Sequence, residues 1–165
     1  MVMGFYIDGS GLYYEGDRID PSDIEVEQRP SSAFIYVDGS WVADLSALKS
    51  KKLASLKALL QSAIVVGIES EALGSPHAYP TALTDQANLN GLVTETLLPG
   101  AAAEFKFWCA DSAGNWLRRA HTAEQIRQVG IDVATHIKAQ QSHYEALLIS
   151  VENAEDVDSV AAVVW

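Results

Sequence analysis

Four histidines, a single cysteine and several acidic groupings are the residues of this 165-residue chain whose types could carry chemistry. His136 and His143 lie seven apart, a spacing that sets both on one helix face. A zinc site needs a third ligand, and neither histidine belongs to a His-Glu-x-x-His arrangement, so the spacing reads as helix-surface histidines. His77 and His121 stand alone. Cys109 falls in the run Phe105-Lys106-Phe107-Trp108-Cys109, where an inert buried thiol is expected. As the sole cysteine it excludes an internal disulfide and a thiolate-rich metal site. Asp8-Gly9-Ser10-Gly11 with Glu15 invites comparison with a calcium loop. The fifth loop position would then be Leu12 and the flanks are strand-like, so a tight turn is the better reading. Asp20 and Asp23 could form a carboxylate pair for glycoside chemistry. Glu152, Glu155, Asp156 and Asp158 could gather a cation, but such runs more commonly mark a solvated helix end. The serines lack a Gly-x-Ser-x-Gly setting, and no glycine-rich phosphate loop is present. The expectation is a chain without catalytic, cofactor-binding or metal-binding residues, one that binds instead of catalysing.

Binding vocabulary is plentiful. Tyr6, Tyr13, Tyr14, Tyr36 and Trp41 crowd into the first 45 residues, a length near the lower limit for a self-sufficient core. Strand alternation puts Tyr13 and Tyr14 on opposite faces. Aromatic rings are enriched at interface hot spots. Tyr13, Tyr14, Tyr36 and Trp41 are therefore the candidate partner-binding residues.

The elements that must position these residues follow from pattern. Gly4–Ile7, an Asp-Gly turn and Leu12–Glu15 predict a first hairpin. Phe34–Val37, Asp38-Gly39 and Ser40–Val42 predict a second, because Asp-Gly supplies the positive φ of a two-residue turn. From Asp44, a plausible N-cap, leucines recur at three- and four-residue steps to Ile64, which predicts an amphipathic helix. Val66–Leu73 and His77-Ala78-Tyr79 read as extended pieces, and Thr84-Asp85 opens a helix stopped by Pro99-Gly100. Glu104–Cys109 and Asn115–Arg119 flank a polar turn and predict an aromatic hairpin. Thr122-x-x-Gln125 is a capping box that opens a long helix ending near Asn153. The tail from Val157 predicts a short strand. The fold class is α+β: a small N-terminal β-rich module (1–43), a linking amphipathic helix (44–65) and a C-terminal α+β module (66–165).

Charge narrows the partners. The net charge is −11, and it is uneven: residues 1–44 carry nine acids and two arginines, residues 45–65 four lysines and no acid, residues 66–165 thirteen acids and five bases. A surface of this sign repels phosphate backbones, so nucleic acid is not an expected partner. Lys49, Lys51, Lys52 and Lys57 are expected to face neighbouring acids or a partner. No apolar run approaches the ~20 residues of a spanning helix. The N-terminus has no signal-peptide pattern, which points to the cytoplasm of the producing cell.

One further pattern is composite. His77-Ala78-Tyr79-Pro80, then Asp85-Gln86-Ala87-Asn88-Leu89-Asn90-Gly91, then Phe107-Trp108 and Trp116, then Thr122-Ala123-Glu124-Gln125 before a long helix with His136, and finally Trp165, follow one another in a set order. Over residues 66–165 this order resembles a domain of tail-fibre assembly proteins from tailed phages, prophages and R-type pyocin clusters. The front half, with Arg29-Pro30 and Asp38-Gly39-x-Trp41, is similar to theirs as well. The resemblance implies a chaperone that binds the C-terminal part of a trimeric tail fibre and assists its folding and trimerisation. It implies no catalytic residue and no cofactor. Some relatives leave after assembly and others stay at the fibre tip. The alternatives are a carbohydrate-binding module or a structural component retained at that tip.

Overall fold

A computed structural model describes residues 3–165. The chain is an α+β protein that divides into two compact units. One comprises the residues up to Leu53 together with Ser150–Val163; the other comprises Ala54–Ile149 and Val164–Trp165.

The first unit is built from short antiparallel strands. β1 (Gly4–Ile7) pairs with β2 (Tyr13–Gly16) on one side and β3 (Ile24–Glu25) on the other. β4 (Phe34–Val37) and β5 (Ser40–Ala43) form a separate hairpin. Its turn has positive φ at both Asp38 and Gly39, the conformation that Asp-Gly tolerates at least cost. The Asp8 carboxylate closes the first turn by accepting the backbone N–H groups of Ser10 (2.8 Å) and Leu12 (2.9 Å). Its Oδ1 atom is thus occupied by the turn itself.

Helix α1 (Leu45–Ile64) starts where Asp44 accepts the N–H of Ala47 at 3.0 Å. Its lysines find an unexpected use within this unit. The Lys49 ammonium donates to the Glu152 carbonyl (2.8 Å), and that of Lys52 to the carbonyls of Ala161 (3.3 Å) and Val163 (2.9 Å). These carbonyls end α3 (Ala123–Asn153) and α4 (Val157–Ala162), where helical C=O groups lack internal partners and the dipole is negative. Instead of the expected strand, the tail forms α4. Asp156 and Ser159 cap it reciprocally, side chain to backbone in both directions, which favours a helical start over an extended one.

The second unit is a two-layer sandwich. β6 (Ile68–Ser70), β7 (His77–Tyr79), β8 (Phe105–Ala110) and β9 (Trp116–His121) form one antiparallel sheet in that order. Helix α2 (Leu83–Glu95) connects β7 to β8. Tyr79, Phe105, Phe107 and Cys109 from the strands pack with Leu89 of α2 and Ile126, Val129 and Val133 of α3. The Thr122–Gln125 box opens α3: Thr122 N–H donates to Gln125 Oε1 (2.8 Å) and Gln125 N–H to Thr122 Oγ1 (3.2 Å). Where α2 and α3 meet, a Cβ on Gly130 would stand 2.9 Å from Val93 Cγ2, so the glycine sets how closely the helices approach.

Candidate functional site: the outer face of the C-terminal sheet

The strand registers place one row of residues straight across the sheet. Glu69 of β6 faces Ala78 of β7, Ala78 faces Ala110 of β8, and Ala110 faces Trp116 of β9. Residues opposite one another in antiparallel strands share a face. Burial alternates from Phe105 to Cys109 in β8, with Phe105, Phe107 and Cys109 inside and Lys106 and Trp108 exposed, while Ala110, next on the outer side, is covered by its neighbours. This row therefore lies on the face turned away from α2 and α3. The next rows on that face pair Trp108 with Arg118 and Lys106 with Ala120.

Ala78 on a central strand leaves a shallow trough between an acid and an indole. The result is a hollow of about 460 Å³. Ala78 and Pro80 are among its lining, Val65 and Val66 stand at one side, and Glu69, Asp85 and Trp116 bring the functional groups. Thr81 fixes the wall: its hydroxyl donates to the Ile64 carbonyl and accepts the Gly67 N–H, both at 2.8 Å. Gln86 of α2 donates to the Thr81 carbonyl at 2.7 Å, tying the helix start to the same wall. On the same face, Trp108 (47% exposed) and Trp116 (49%) leave large apolar groups in solvent.

The turn that carries Trp116 is held by one carboxylate. Asp111 accepts the N–H groups of Ala113 and Asn115, both at 3.0 Å, and pairs with the Arg119 guanidinium at 2.7 Å. These donors hold its carboxyl below the usual carboxylate range, the N–H of Asn115 contributing most.

Beneath the sheet, Tyr79 and His121 form a buried polar pair. Tyr79 Oη and His121 Nε2 are 2.9 Å apart, and His121 Nδ1 lies 2.9 Å from the Arg119 carbonyl. A carbonyl only accepts, so Nδ1 carries the proton and Nε2 accepts from the tyrosine. Burial pushes the His121 pKa below its ordinary value and the Tyr79 pKa well above. The ring is therefore a neutral core residue.

The residues singled out from the sequence have the following positions. Tyr13 stacks on Phe5 and meets Trp41 edge-on, with ring centres 5.4 Å apart; Trp41 meets Tyr36 at 5.2 Å. Arg29 lies over both Tyr13 and Trp41, and the Trp41 indole donates to the Glu27 carbonyl at 3.0 Å. Tyr14 stacks on Tyr6 and donates to the buried Asp23 carboxylate. All four are half-buried and bound to one another or to neighbours in their own unit. Asp20 accepts the Ser22 hydroxyl and N–H, which hold its carboxyl below the usual range, the ionised form and not a proton donor. His136 Nε2 donates to the Ala63 carbonyl at 2.9 Å, and His143 meets the Trp165 ring edge-on at 4.9 Å. Cys109 is fully buried. Among the described residues, no three His, Cys, Asp or Glu side chains are gathered to hold a metal ion. Nor is any helix long and apolar enough to cross a membrane.

The outer-face row was missed in the sequence because it needs three strand registers at once. The available signal was the pair of tryptophans flanking the Asp111–Asn115 turn.

Comparison with known proteins supplies a family and no activity. Residues 47–164, more than half of the chain, match the model of a domain of unknown function, DUF4376. The chain belongs to that family. No curated protein matches it, and no solved structure does.

Proposed function

We propose that this chain is a tail-fibre assembly chaperone, a protein that binds the C-terminal part of a trimeric phage or pyocin fibre and assists its folding and trimerisation. The observation that carries this reading is the outer face of the C-terminal sheet, where Trp108 and Trp116 stay in solvent on regular strands. Exposed tryptophan with arginine alongside is the composition of a protein-binding hot spot. The motif order over residues 66–165 adds the tail-fibre context.

Fibre chains must pair across three copies before their strands are satisfied, so their intermediates expose edges that aggregate. β9 is itself a sheet edge, six residues long, able to pair with such a strand while the face beside it grips side chains. The net charge of −11 keeps the complex soluble. The N-terminal rings Tyr13, Tyr14, Tyr36 and Trp41 are secondary candidates, since much of their surface is spent on one another.

Co-expression with the fibre gene nearest in the genome tests the reading, with soluble trimer scored by gel filtration. Trimer forming only in the presence of this chain is the expected result, lost with Trp108→Ala/Trp116→Ala and kept with Tyr36→Ala. Equal trimer yield without the chain overturns it. The carbohydrate-binding alternative draws on the same two tryptophans; it predicts retention on a glycan surface with no fibre present.

A further inference from the structure

We propose that the hollow between Glu69 and Trp116 receives an arginine side chain from a protein partner. The inference rests on the outer sheet face being a binding surface, but not on the partner being a fibre.

Its chemistry is one-sided. Two carboxylates, Glu69 and Asp85, line it, and no basic residue does. Among the described residues, the ion pairs are Lys106 with Glu104 and Arg119 with Asp111, so neither lining carboxylate has a cation of its own. The Thr81 hydroxyl is spent on Ile64 and Gly67. Apart from the Trp116 indole N–H, the side chains therefore offer acceptors and apolar surface. A neutral ligand would crowd water from two carboxylates and return no charge. An anion would be repelled.

A guanidinium meets each requirement. Its planar face stacks on an indole, its N–H fork suits carboxylate, and its three methylenes cover apolar wall. The small side chain of Ala78 in the lining helps to admit it, because a larger residue there would fill the trough. The remainder of the molecule favours the same sign of partner, with a net charge of −11.

The test uses the full chain, uniformly labelled with ¹⁵N, titrated with N-acetyl-arginine methylamide and followed by two-dimensional NMR. Saturable shifts are expected at the amides of residues 67–69 and 78–82 and at the Trp116 indole. N-acetyl-citrulline methylamide, which keeps the shape and loses the charge, is expected to produce none. Glu69→Gln and Asp85→Asn each weaken binding by about two- to fivefold, the range for partly exposed charge pairs, and Trp116→Ala abolishes it. Both carboxylates lie at least partly in solvent, so these variants fold, and their own spectra check that. Absence of shifts, equal binding of the citrulline compound, or shifts confined to another face each overturn the proposal. So does displacement by a neutral monosaccharide that binds the hollow more tightly.

Discussion

At the scale of single residues, the buried Tyr79–His121 pair gives the sharpest expectations. Tyr79→Phe removes the one donor that His121 Nε2 has and leaves a buried acceptor unsatisfied. The expected cost is about 1–3 kcal/mol of stability, read by urea denaturation, with the spectrum of the native sheet retained. The same pair sets a pH dependence. His121 is neutral in the fold and its pKa is depressed by burial, while the unfolded ring titrates near 6.5. Below that value the unfolded state binds a proton that the folded state refuses. Stability is therefore fully present above about pH 6.5 and falls as the pH drops toward the depressed folded value. Denaturation midpoints at pH 7.5 and 5.5 measure it, and a midpoint independent of pH over that window contradicts the buried neutral ring. None of this was visible beforehand, because His121 sits 42 residues from Tyr79 and nothing in either neighbourhood announces the other.

At the scale of elements, much was legible because local chemistry decided it. Asp38-Gly39 specified its hairpin through backbone conformation, Thr122 and Gln125 specified a helix start through two hydrogen bonds, and Asp44 did so through one. The tail was misread for a local reason too. Ala161-Ala162-Val163-Val164-Trp165 suggests a strand, yet the Asp156–Ser159 cap at the start of the tail commits Val157–Ala162 to a helix, and the chain turns extended only at Val163. What could not be read were relations between elements. The row Glu69–Ala78–Ala110–Trp116 exists only once three strand pairs are in register, and nothing in the sequence around Gly130 points to Val93. Against Val93 the glycine is a spacer. Gly130→Ala would gain about 1 kcal/mol of helix propensity in isolation. Here the methyl must push the helices apart, and the expected net effect is a loss of about 0.5–2 kcal/mol. Trimming the neighbour in the same chain, Val93→Ala, is expected to restore the gain, a reversal that urea melts of the three variants will show or refute.

At the scale of the whole molecule, the lysines of α1 matter more than their charge suggested. The sequence predicted that they would face acids or a partner, and Lys49 and Lys52 instead hold backbone carbonyls at two helix ends. Lys52→Met keeps the aliphatic stem and removes the donors. Amide hydrogen exchange in Val157–Ala162 is expected to quicken in that variant while exchange in β8 stays unchanged. Equal protection of α4 in both proteins would show that the lysine contributes nothing there.

Those lysine contacts also make the first unit discontinuous, since its two parts are separated by the 96 residues of Ala54–Ile149. On a ribosome adding roughly 5–20 residues per second, the early strands and the start of α1 wait about 5–20 s before Ser150–Val163 emerges to complete them. For that interval the nascent chain displays unclosed strands beside an unclaimed basic stretch. Synthesis itself thus makes the unit that begins the chain wait for nearly the whole sequence before it can be completed.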